Sequence, residues 1–95
     1  MLVHVVCIKY RSDVPEAERE AHRAALRGLA SLDGVVSLQV GADVVHSARS
    51  YDTGLVVSFP DRAALDRYAV DPQHVPVLTQ GVALAEHIVA VDFLA

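Results

Sequence analysis

Tyr68 and His74 stand six residues apart in the segment RYAVDPQHVPV, with Asp71-Pro72 between them. A phenol can polarise a carbonyl by donating a hydrogen bond, and an imidazole can take up a proton near neutral pH. The two together suit a proton transfer beside a carbonyl. Asp71 has the chemistry of an N-cap and Pro72 that of a first helical residue, which puts His74 at the third position of a helix. The partial positive charge of a helix start favours a neutral imidazole. Asp71 and Pro72 also make an ordinary helix start with His74 at a permissive exposed position. The residue types alone leave both readings open.

Further polar residues fall where apolar ones are expected. His4 shares a strand face with Leu2, Val6 and Ile8, and Asp92 shares one with Ile88 and Ala90. His22 is three, four and seven residues ahead of Ala25, Leu26 and Leu29, on the inward side of a helix. Tyr68 sits inward with Ala64 and Leu65 on the next helix. Buried polar groups need partners, so these side chains are expected either to pair or to line a small-molecule site. Each also has a plain structural reading: a satisfied core histidine for His4, a helix rim for His22, an arginine or amide partner for Asp92. No pair of histidines has the HxH or HxxxH spacing that puts two ligands on one face, and no metal site is expected. His46 and His87 read as solvated. Cys7 lies in an apolar run and reads as a small buried hydrophobe.

The elements that must hold these residues are legible. LVHVVCIKY (2–10) is rich in β-branched residues and reads as a strand. A helix follows, with Asp13 as its expected cap, Pro15 in its first turn, Leu26, Leu29 and Leu32 at helical spacing, and Gly34 as its stop. Strands are expected over 35–42 and 53–59, joined by the polar segment 43–52. Asp61 opens a second helix and Asp71-Pro72 restarts it to about Gly81, with Val75 and Leu78 inward; 86–95 reads as the last strand. The order β-α-β-β-α-β predicts one α+β domain over 1–95, a ferredoxin-like antiparallel sheet with helices on one face. The first and last strands are apolar on both faces, so a second subunit is expected to cover the side the helices leave bare.

Composition agrees. A chain of 95 residues buries only about 60–65% of its unfolded surface, yet 53% of its residues are apolar. Homodimerisation resolves that excess. The net charge is −4 with no basic cluster, which argues against nucleic acid. The apolar start has neither the flanks of a signal peptide nor the length of a membrane span, so a cytoplasmic, non-membrane protein is expected.

Taken in order, HVVCIKY from His4, SLQVGADV, YDTGLVVSF, DRAALDRYAVDPQHVPV and the closing VDF resemble the stress-responsive dimeric α/β-barrel (Dabb) family over nearly the whole chain. The resemblance implies a dimeric α+β barrel whose sheets pack together. Some plant members resemble polyketide cyclases, which close a poly-β-keto chain by aldol chemistry between helices and sheet. The resemblance implies that His74 acts as base, that Tyr68 assists it, and that His4 lines the same pocket, with no cofactor. His22 and Asp92 join that lining as candidate substrate-binding residues. Asp71 stands where the family often has histidine, and Thr53 stands where the plant cyclases carry another pocket histidine, which makes Thr53 a candidate as well. The expected function is binding of a small apolar carbonyl compound, with cyclase- or lyase-like proton transfer. The alternatives are a non-catalytic dimeric stress or binding protein and a cofactor-independent monooxygenase; no tryptophan is present to match the pocket residue some of those monooxygenases use.

Overall fold

The computed structural model describes residues 1–95. Strand β1 (Leu2–Tyr10) leads to helix α1 (Glu16–Arg27), a 3₁₀ turn (Gly28–Ser31), β2 (Ser37–Ala42), β3 (Thr53–Phe59), α2 (Arg62–Ala69), α3 (His74–Leu84) and β4 (Ala85–Leu94). The four strands form one sheet in the order β2-β3-β1-β4, and the pairings are all antiparallel. This is the ferredoxin-like α+β architecture, and no helix is long and apolar enough to cross a membrane.

Side chains alternate across a strand, so β1 sends Leu2, His4, Val6, Ile8 and Tyr10 to the helical side. Opposite them on β3, Leu55, Val57 and Phe59 are buried, the last two completely, and Leu26, Leu29 and Leu32 close the core from the first helical segment. Val56 of β3 and Val89, Val91 and Phe93 of β4 belong to the other face and are exposed, with Val56 at 37% and Val91 at 56%. That bare face is the apolar surface the composition predicts.

Several local details differ from expectation. Asp13 does not cap α1; it pairs with Arg11 at 3.4 Å, while Pro15 in extended conformation precedes the helix without a side-chain cap. The helix ends at Arg27 and tightens into the 3₁₀ turn, so Gly34 instead serves the turn into β2. Its φ of 83° suits glycine, and an added Cβ would come within 3.1 Å of Ala64 Cβ. Asp61 does cap α2, accepting from the Ala64 amide at 2.9 Å. Asp71 closes a turn before α3, accepting from the Gln73 amide at 2.8 Å, and the regular helix starts only at His74. Val75 and Leu78 are roughly half exposed; Val77, rather than Val75, packs on the core. Between Lys9 and Tyr10 the β1–β4 register slips, and Tyr10 pairs with Ala85 rather than Glu86. Such a bulge re-aims the side chains beside it.

Candidate functional site

A cavity of about 230 Å³ lies between the sheet and the helices. Its wall is mostly aliphatic, from Val6, Ile8, Leu26, Leu55 and Leu65 among others, and four polar rings interrupt it: His4, His22, Tyr68 and His74. An apolar cavity of roughly 150 Å³ can hold benzene. This one therefore has room for a single substituted ring or a short chain of similar size. A larger but shallower depression of about 550 Å³ lies beside Cys7, Gly54 and Val56 on the bare face of the sheet, and it brings none of the candidate residues together except Thr53.

Tyr68 reaches the cavity because Asp61 starts α2 in the register that turns Ala64 and Tyr68 onto the sheet. Its ring packs edge-on to Phe59, with centroids 5.1 Å apart. Its hydroxyl is the one buried side-chain polar atom in the chain without a hydrogen-bond partner. Burial pushes its pKa up to about 12, so the phenol stays protonated and its O–H is free to donate. An unpaired buried hydroxyl costs roughly 1–3 kcal/mol, a cost a ligand acceptor would relieve.

His74 lies against that phenol, ring centroids 4.4 Å apart and inclined at 41°. The turn through Asp71 and Pro72 folds the start of α3 back over the end of α2, and His74 Nδ1 meets the Ala69 carbonyl at 3.1 Å. A carbonyl only accepts, so Nδ1 carries the hydrogen and, in the neutral ring, Nε2 holds the lone pair. His4 approaches Tyr68 from the sheet at 6.3 Å in an edge-to-face arrangement. Its Nδ1 hydrogen-bonds the carboxylate of Asp92, its register partner across β1 and β4. In the neutral ring that contact again leaves Nε2 as the acceptor nitrogen, held in orientation by the carboxylate. One hydrogen-bond donor thus stands between two imidazoles, each with its tautomer set by the fold.

At the α1 side of the cavity the polar groups are paired. His22, only 1% exposed, places Nδ1 2.7 Å from the Tyr10 hydroxyl. That hydroxyl is 3.1 Å from Thr53 Oγ1, which accepts from Arg23 Nη1 at 3.0 Å. Arg23 continues outward to Glu20 at 2.9 Å and to Glu16. Burial would lower the Arg23 pKa, but its carboxylate contacts outweigh that and raise it. Burial, reinforced by the Arg23 charge, lowers the His22 pKa, so its ring is neutral. Burial likewise raises the pKa of Tyr10 against the opposing effects of Thr53 and Arg23. The Arg19 guanidinium stacks over the Tyr10 ring at 5.3 Å, and Asp52 accepts from the Tyr10 amide at 2.8 Å.

The expected residues are therefore placed unequally. His4, His22, Tyr68 and His74 do line one cavity. Asp92 and Thr53 do not: Asp92 stands behind His4, and Thr53 is held in the Tyr10–Arg23 network, so neither is positioned to touch a molecule in that cavity. Tyr10 and Arg23 are absent from the sequence reading. Tyr10 could have been found, since it shares the even-numbered face of β1 with His4. Arg23 gives no such signal, because an arginine beside acidic residues on a helix reads as solvated.

The family model of the stress-responsive A/B barrel domain matches residues 2–95. The chain belongs to the stress-responsive A/B barrel (Dabb) family. Among solved structures, a dimeric ferredoxin-like protein of unknown function from Jannaschia sp. CCS1 is 29% identical with a TM-score of 0.83, covering 99% of this chain and 98% of that one. A dimeric ferredoxin-like protein of unknown function from Thermobifida fusca superposes with a TM-score of 0.90 at 23% identity, over 99% of this chain and 90% of its own. The hydroxynitrile lyase of Passiflora edulis shares the fold at 15% identity, with a TM-score of 0.89 and coverage of 99% and 92%. No curated protein matches the sequence.

Proposed function

We propose that this Dabb protein is a homodimer that binds a small, mostly apolar carbonyl compound between its helices and sheet and moves a proton beside the carbonyl. The observation that carries the reading is the Tyr68 hydroxyl: buried, protonated and without a partner, on a ring that lines a cavity next to His74. In this reading the Tyr68 O–H donates to the carbonyl oxygen, and His74 Nε2 takes a proton from the adjacent carbon. The resulting enolate is held by the same phenol. Attack of that enolate on a second carbonyl would close a ring, with His74 returning its proton to the new alkoxide. The reverse sequence would cleave a carbon–carbon bond. His4, oriented by Asp92, would offer its acceptor nitrogen to a hydroxyl group of the ligand. A lyase on the same fold is consistent with such chemistry. The bare apolar sheet face, together with dimeric relatives of the same fold, supports pairing of two copies through that face.

Acetophenone, a one-ring ketone, serves as a test substrate. In D₂O at pH 7, NMR of its methyl group is expected to show deuteration catalysed by the protein and removed by Tyr68→Phe and by His74→Ala. Resonances of Ala69 and Val77 should shift when it binds. Absence of both deuteration and shifts would overturn the reading; binding without deuteration would reduce it to a binding protein.

A further inference from the structure

Within that cavity, His22 has not been given a task. Its Nδ1 is engaged by Tyr10, while Nε2 has no partner in the chain. The ring lines the cavity beside Gly81, where an added Cβ would come within 3.0 Å of Nε2. Glycine at this point of α3 is what lets the imidazole edge approach the helix backbone and reach the cavity.

The network behind His22 decides which hydrogen Nε2 presents. Arg23 can only donate, so Thr53 Oγ1 accepts from it. A fixed cation orients nearby hydroxyl dipoles with oxygen toward it and hydrogen away. That orientation favours Thr53 donating to Tyr10 and Tyr10 donating to His22 Nδ1, an order both contact distances permit. Nδ1 of the neutral ring is the acceptor, and the remaining hydrogen is on Nε2.

We infer that His22 Nε2–H is a second recognition point, and that the natural ligand carries a second acceptor oxygen, a keto or ether group, separated by an apolar body from the carbonyl that meets Tyr68. This rests on the cavity being a ligand site. The four-residue chain Arg23–Thr53–Tyr10–His22 is then a positioning device that holds one tautomer, and selectivity for dioxygenated over mono-oxygenated compounds follows from it.

The tautomer is tested first on the intact protein with ¹⁵N-labelled histidine. Long-range ¹H–¹⁵N correlation is expected to show His22 Nε2 protonated and Nδ1 bare; the opposite pattern overturns the inference. Tyr10→Phe should replace that single tautomer by a mixture, and an unchanged spectrum would also count against it. Affinity is read with 1,4-diacetylbenzene and 4-isopropylacetophenone, which have nearly the same shape. The ratio of their dissociation constants should move by about tenfold against the diketone in His22→Leu, the size expected for one lost hydrogen bond. If His22→Leu does not fold, Tyr10→Phe should move the ratio in the same direction by a smaller factor. An unmoved ratio with both ketones bound overturns the role of His22 and leaves the ligand site standing. Binding of neither ketone overturns the ligand site, and this inference with it.

Discussion

The two ends of the cavity treat their tyrosines in opposite ways. Tyr10 is saturated: amide on Asp52, ring under Arg19, hydroxyl between Thr53 and His22. Tyr68 is equally buried, at 2% exposure for each residue, yet its hydroxyl meets nothing. A chain that can tie one phenol so fully has no physical obstacle to tying the other. The difference separates a group that holds the fold from one kept for a molecule that is not part of it. The histidines differ in what holds them: His22 Nδ1 is tied to the Tyr10 hydroxyl at the paired end, and His74 Nδ1 to the Ala69 backbone carbonyl beside Tyr68.

The largest effect expected from breaking this contrast is on turnover. His74→Ala should slow deuteration of acetophenone by about a hundredfold or more, the usual contribution of a positioned base, while the urea midpoint changes little. A matched loss of stability and rate would mean that His74 is structural. At the paired end the order reverses. Arg23→Leu removes the only donor that polarises the chain through Thr53 and should cost about 2–3 kcal/mol of unfolding free energy by urea titration. Tyr10→Phe leaves His22 Nδ1 and Thr53 without their shared partner and should cost about 1–2 kcal/mol.

A smaller effect is expected from pH. The His22 pKa is lowered in the fold from its ordinary value of 6.5. Its contribution to stability is therefore complete above pH 6.5 and is lost as pH falls through the lower folded value. Urea midpoints should decline from pH 7 to pH 5, and the decline should be shallower in His22→Leu. Equal slopes would show that other groups govern acid sensitivity.

Much of this arrangement was legible before any coordinates. Apolar residues on both faces of β1 and β4 predict two faces that need burial, and the two-residue strand period puts His4 and Asp92 among the inward apolar positions of their strands. Helical spacing brought His22 and Tyr68 inward. Asp71-Pro72 announced the turn that stacks His74 on Tyr68, although the regular helix begins later than the capping pattern suggests. What sequence could not carry was pairing across elements. Asp92 reads as a lining residue because a strand position fixes a face and not a neighbour, and Thr53 does so only through the family resemblance. Arg23 gives no signal in the sequence because its burial depends on Thr53, thirty residues away and adjacent only after β3 and α1 have packed.

The central claim is that the Tyr68 hydroxyl is reserved for a ligand, and urea denaturation of Tyr68→Phe with and without acetophenone tests it most directly. The account predicts that the variant without ketone is as stable as the parent protein or up to about 1 kcal/mol more stable, because no internal hydrogen bond is lost. It also predicts that the ketone raises the parent's midpoint and leaves the variant's nearly unmoved. A variant destabilised like Tyr10→Phe, and stabilised by the ketone as much as the parent, would contradict it.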